Sequence, residues 1–310
     1  MTESAAINDI ETWAEFVRSR EKADQPDSTA LAWLPGLSVV RAEGGDAESF
    51  LDGQFSAAVG ELGQDEAVLT AWHDPKGRAV TTVLMSRDES GFELLLPSSL
   101  MDTVLPKLRL YVLRAQVNLS AQQDTVVLGR WDDNDSGETP FRPLSGLSAA
   151  GFWSGPLSEA RSLWDEFEAA GDLPIRETEW RRRELLAGLP RLGPETSGRF
   201  LPQFLGLDHF GGLSFRKGCY IGQEVIARTH YLGKVKQGLK LARCQQAAPA
   251  GAAVRDSADR LVGQVLDSVA ASDASHWLVQ IVVRENHDGE LHLDGGGEAD
   301  GEAPALKLFD

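Results

Sequence analysis

The chain has 310 residues, 42% hydrophobic and 25% charged, a balance that excludes collagen-like, coiled-coil and wholly disordered classes. At that length two domains are allowed and three tolerated. Thirty Lys and Arg against 47 Asp and Glu give a net charge of −17, so neither direct nucleic-acid binding nor membrane binding is expected, and any RNA role would have to be indirect or local.

The opening residues soon meet Asp9 and Glu11 and lack the basic start and apolar stretch of a signal peptide. No run reaches the roughly 18 apolar residues of a spanning helix. A cytoplasmic monomer is the expectation. Residues 10–20 place Ile10, Trp13, Ala14 and Val17 at spacings of three and four, predicting a short amphipathic helix that 21–29 break. Residues 37–41 predict a strand and 46–59 a helix with Phe50, Leu51 and Phe55 on one face. Three strands follow at 67–73, 78–87 and 92–96, the last two joined by the tight-turn composition Asp88-Glu89-Ser90-Gly91. Ser98 or Ser99 is placed to cap a helix running to Leu113, and 115–119 predict another strand.

The order β-α-β-β-(β)-α-β points to a ferredoxin-like α+β domain over residues 1–130. Residues 131–146, rich in Asp, Ser, Gly and Pro, read as a linker or loop. Helices are predicted at 158–170 and 175–187, the second stopped by Gly188-Leu189-Pro190, within a second domain over 131–233. Short β-type runs at 237–243, 261–268 and 277–283 predict a small β-barrel over 234–310, with an acidic, glycine-rich mobile loop at 294–303.

Two cysteines, Cys219 and Cys244, are too few for a disulfide framework or a four-ligand metal site, so no permanent metal is expected. The most unusual segment runs Arg216-Lys217-Gly218-Cys219-Tyr220-Ile221-Gly222-Gln223-Glu224, ahead of a predicted helix from Val225 to His230. Helix N–H groups and neighbouring cations favour a thiolate, which makes Cys219 a candidate reactive sulfur. The other reading makes it a small buried hydrophobe, with Arg216 and Lys217 solvated and Glu224 paired with Arg228 across one helical turn. Asp74-Pro75-Lys76-Gly77-Arg78 is a turn in which every residue is explained by backbone geometry, although Lys76 could meet an anionic ligand such as the glutamyl tail of a folate. His209 and His230 read as structural.

The stretch Phe200-Leu201-Pro202-Gln203 and the run from Gly211 through Arg228 resemble the signature of the YgfZ-type folate-binding, tRNA-modifying proteins. Gly45 to Gln54 resembles the first helix of that family, and Asp74 to Arg78 its inter-strand loop; Trp180 with Ala187-Gly188-Leu189-Pro190 is similar too. The family is related to the T-protein of the glycine cleavage system. The resemblance implies an α+β, T-protein-like ring of three subdomains, with ferredoxin-like modules and a C-terminal small β-barrel, around a folate site. It also implies a role in assembling or repairing iron–sulfur clusters, and so in the activity of radical enzymes that modify tRNA. Folate and iron–sulfur client or assembly proteins are then the expected partners, with tetrahydrofolate or a one-carbon derivative as cofactor.

Carried onto this sequence, the resemblance assigns Trp180 to stacking on the pterin, Lys217, Gln223, Glu224, Arg228 and Lys76 to the cofactor, and Cys219 to the chemistry. A second family tryptophan falls on Leu37, with Trp33 nearby, and a common asparagine of the Phe200–Gln203 element is Gly206. Two other functions stay open. A folate-dependent aminomethyl or one-carbon transferase would need a carboxylate such as Asp74 or Glu224 at the folate nitrogens. A thiol oxidoreductase would need Cys244 as resolving cysteine.

Overall fold

The computed structural model describes residues 3–25, 28–64, 66–133, 139–232, 236–287, 289–294 and 303–309. The expected amphipathic helix is α1 (Glu3–Arg18), and its spacing does what the pattern required: Trp13, Phe16 and Val17 are buried with Leu31, Val126, Leu128, Phe141, Ala160 and Trp164. Trp13 and Trp164 meet edge to face at 5.6 Å, the geometry the ring quadrupoles favour.

The strands of the first sheet are β1 (Ala30–Trp33), β2 (Leu37–Glu43), β3 (Ala67–His73), β4 (Ala79–Asp88), β5 (Gly91–Pro97), β6 (Asn118–Ala121), β7 (Thr125–Trp131), β8 (Arg142–Leu144), β9 (Leu147–Pro156) and β10 (Leu173–Ile175). They lie in the order β10-β1-β7-β9-β8-β3-β4-β5-β2-β6. Pairing is antiparallel apart from β1 with β10 and β3 with β8. The helices are α2 (Ala47–Gln54), α3 (Met101–Arg109), α4 (Leu157–Ala170), α5 (Glu177–Leu186) and α6 (Gln223–Leu232). A closed barrel follows from β11 (Gln237–Cys244), β12 (Ala253–Arg255), β13 (Leu261–Ala270), β14 (Trp277–Arg284), β15 (Leu291–Leu293) and β16 (Ala305–Leu308). Cys244 is buried in the barrel core beside Val279, Ile281 and Val283.

The chain divides into two compact units. Met1–Leu51, Val59–Leu69 and Val83–Trp180 form the first; Asp52–Ala58, Thr70–Thr82 and Arg181–Asp310 form the second. The division expected at residue 130 falls inside β7, which pairs with β9 from Thr125 to Trp131. The division expected at 233 immediately precedes the barrel. Among the described residues no helix is long and apolar enough to cross a membrane. Of the loop expected at 294–303, residues 295–302 lie outside the described residues.

Several sequence expectations are corrected. The segment 131–146 is more than a linker, because Arg142–Leu144 forms β8 against β9. The predicted helix 46–59 stops at Gln54: Phe55 turns away to bridge Trp72 on β3. Ser98 does not cap α3; its hydroxyl donates to the Pro35 carbonyl (3.0 Å) and accepts from Ser38 (2.9 Å), and a 3-10 turn leads into the helix instead. That helix ends at Arg109, four residues early, before Leu113 takes a φ of 48°. Residues 173–175 are a strand, so α5 begins only at Glu177. Its stop is as expected: Gly188 is left-handed (φ 74°), and the Leu189 N–H reaches back to the Glu184 carbonyl at 2.8 Å.

Candidate functional site

The second unit gathers three of the sequence signatures, Asp74–Arg78, Phe200–Gln203 and the run from Gly211 through Arg228, around one loop. Lys217 enters first. Its ammonium donates to the backbone carbonyls of Asp52, Phe55 (3.0 Å) and Ala57 (2.6 Å), and pairs with the Asp52 carboxylate at 2.9 Å. Asp52 lies in the last turn of α2, where carbonyls lack intrahelical partners and a cation opposes the negative dipole end. Lys217 is therefore not solvated, as one reading of the sequence had it: its side chain is 4% exposed and its three N–H donors are spent on the protein. Burial lowers its pKa, opposed by the hydrogen bond and charge of Asp52. The same loop is held further back by Ser56 and Thr70, whose hydroxyls both donate to the Gly212 carbonyl at 2.7 and 3.0 Å.

Asp74 builds the turn that the sequence predicted. Its Oδ1 accepts from the N–H groups of Lys76 and Arg78, both at 2.9 Å, and its carbonyl accepts from Gly77 N–H at 2.9 Å. This turn lies directly on the start of α6. A Cβ on Gly222 would stand 2.6 Å from Gly77 Cα and 2.8 Å from the Asp74 carbonyl oxygen, and Gly222 also has φ +79°. Gly222→Ala should accordingly destabilise the unit by about 2–3 kcal/mol, from steric overlap and left-handed strain together. A urea-unfolding midpoint equal to that of the parent chain would contradict this docking.

The Phe200–Gln203 element completes the assembly. The Phe200 carbonyl accepts from Ala79 N–H at 2.8 Å, and Gln203 Nε2 donates to the Ile226 carbonyl of α6 at 2.6 Å. Gly206, where the family often has asparagine, is left-handed at φ +70°, a conformation that both residues adopt readily.

Behind the loop sit His73 and Tyr220, ring centroids 6.0 Å apart, with the Lys217 ammonium 5.2 Å over the Tyr220 ring. Both imidazole nitrogens and the Tyr220 hydroxyl are buried without a hydrogen-bond partner among the described residues. Burial, then the charge of Lys217, lowers the His73 pKa to about 3. Burial pushes the Tyr220 phenol up. Sequence reading missed His73; its signal was a lone histidine ending a strand otherwise apolar but for Thr70, next to the Asp74 turn.

Cys219 is exposed on this loop, and both cysteines are free thiols. Gln223, partly buried, donates to the Gly218 carbonyl at 3.3 Å; Lys76, Glu224 and Arg228 are exposed. The ion pair expected between Glu224 and Arg228 is not formed among the described residues. His230 stacks on Phe215 and His209 follows Gly206 in a 3-10 turn. Among the described residues no three His, Cys, Asp or Glu cluster as for a metal ion.

Trp180 belongs to the first unit and is fully buried, edge to face with Trp131 (5.4 Å) and Phe152 (5.7 Å). A Cβ on Gly129 would stand 2.7 Å from the indole, so that glycine makes room for it. The indole face expected to stack on a ligand is covered by protein. Trp33 and Leu37, by contrast, line a cavity of about 570 Å³ in the same unit, with Ser38, Asp102, Arg109 and Gln122.

The fold defines the class. Over 96% of this chain and 88% of the other, the structure is similar to the glycine cleavage system aminomethyltransferase T from Bartonella henselae, with TM-score 0.69 and 15% sequence identity, a likeness of fold alone. No family model matches the chain. Proteins named tRNA-modifying protein YgfZ are 28% identical over 284 residues in Enterobacter sp. (strain 638), covering 84% of this chain and 87% of that one. The relative in Klebsiella pneumoniae (strain 342) is 30% identical over 241 residues, covering 69% and 73%. The chain belongs to this YgfZ family of tRNA-modifying proteins.

Proposed function

We propose that the chain is a folate-binding accessory factor for iron–sulfur cluster assembly or repair, which supports tRNA modification through the radical iron–sulfur enzymes that need those clusters. The observation that carries this reading is the contrast at the loop: Cys219 is exposed, whereas Lys217, Gly222 and Asp74 are engaged in holding its backbone. A single thiol cannot hold a cluster, but Cys219 with a ligand from a client can do so transiently. The site suits a folate. Lys76 and Arg228 are exposed cations for its glutamyl carboxylates, and Gln223 and Glu224 offer an amide and a carboxylate to the pterin edge. Lys217 supports the site from within rather than touching the ligand, and Trp180 is core of the first unit.

Titration of the intact protein with several reduced folates should quench indole fluorescence saturably; a flat titration with all of them would remove the folate. Trp180 is left in place, because truncating a fully buried indole opens a core cavity. Cys219→Ser should fold normally and fail to restore iron–sulfur enzyme activity in a deletion strain, and full rescue would remove the thiol role. Sustained one-carbon transfer from an aminomethyl donor to tetrahydrofolate by the pure protein would establish the transferase reading instead.

A further inference from the structure

The charge of this chain is segregated. Residues 214–243 hold seven Lys or Arg against the single acid Glu224, a balance of +6, whereas the remaining residues carry −23. The same segment carries two exposed rings, His230 and Tyr231, beside the half-buried Phe215. Phe215 stacks on the His230 imidazole, centroids 3.8 Å apart and 17° from parallel. Tyr231, 65% exposed, stands edge-on to both at 5.9 and 4.9 Å. Three contiguous rings on a surface are not the scattered apolar exposure of an ordinary monomer. Beside them Arg216 is exposed, and among the described residues its guanidinium has no ion-pair or hydrogen-bond partner, in a protein with 47 acids. Lys236, just past α6, is also exposed.

We propose that this face binds a single-stranded RNA segment, with Tyr231 and the Phe215–His230 stack taking bases and Arg216 and Lys236 taking phosphates. Unpaired bases stack on Tyr, Phe and His rings, and free guanidinium and ammonium groups bind the backbone at no cost in broken ion pairs. The net charge of −17 does not prevent this, since screening over about 8 Å at physiological salt leaves the exposed Arg216 and Lys236 to act at contact distance. An acidic protein segment would use the cations but has no need of the stacked rings. The inference does not rest on the folate reading, and Arg228, assigned there to folate, is left out of it.

The test is fluorescence anisotropy of a labelled, unstructured 12-nucleotide RNA with the full chain. Two neutralised phosphates on a single strand make binding fall about sevenfold between 50 and 200 mM KCl, and Arg216→Gln should reduce that dependence to under about threefold. Tyr231→Ala, at an exposed ring, should weaken binding about tenfold with an unchanged unfolding midpoint. Undetectable RNA binding, or affinity indifferent to both substitutions, overturns the proposal. So does a poly-glutamate peptide that displaces the RNA and loses affinity equally in Tyr231→Ala, which would assign the face to an acidic protein.

Discussion

Lys217→Met should cost the second unit about 2–4 kcal/mol, from the three carbonyls left without their buried donor and the half-buried Asp52 carboxylate left without its partner. The side chain is nearly isosteric, so the loss measures the ammonium and not its stem. Without it the carbonyls of Asp52, Phe55 and Ala57 lose their shared donor, and the Asp52 carboxylate loses its partner. Each carbonyl left dry costs on the order of 1–3 kcal/mol, part of which water entering the gap recovers. The urea midpoint should fall accordingly, and the Cys219 thiol should react faster with iodoacetamide, since Lys217 is what ties its loop to the Asp52–Ala57 segment. A loss under about 1 kcal/mol would mean that the ammonium does not hold these oxygens in solution.

The second large effect is on acid stability. His73 has an ordinary pKa of 6.5 in the unfolded chain and about 3 in the fold, because burial and then the Lys217 charge oppose its protonation. Below pH 6.5 the unfolded state takes up a proton that the folded state refuses, so stability present above that pH is lost progressively toward pH 3. The slope is about 1.4 kcal/mol per pH unit, which amounts to about 2 kcal/mol at pH 5. His73→Phe keeps a ring beside Tyr220 and removes both nitrogens. Urea midpoints measured from pH 7 to 5 should therefore fall more steeply for the parent than for the variant. Parallel slopes would show that His73 takes up its proton in the folded chain.

Much of the fold was legible because its patterns are local. Strand β3 lies at 67–73 as expected, the Asp88–Gly91 turn joins β4 to β5, and β11, β13 and β14 of the barrel begin where β-type residues recur. What was missed has one cause. Strands β7 and β9 were not predicted, since their glycines weaken a local β pattern, yet Gly129 admits the Trp180 indole, Gly151 the Phe141 side chain and Gly155 the Trp153 ring. In α5, Arg181 looks like a solvated residue of a polar helix, yet it is buried against Asp267 (2.6 Å) and Glu184 (2.7 Å). Such glycines and charges are explained only by the group that arrives from elsewhere in the chain.

The candidate site divides the same way. The amino-acid sequence by itself identified the family, the glycine-flanked thiol segment and the Asp74 turn, since these depend on residue identity and on hydrogen bonds spanning a few residues. The tertiary structure alone decided that Lys217 is spent inside the protein on oxygens some 160 residues away, that the Asp74 turn rests on Gly222, and that Trp180 is core. The physical reason is that the partners of a buried ammonium, a close backbone crossing and an edge-to-face indole are set by chain closure, which leaves no periodicity for a linear reading to detect.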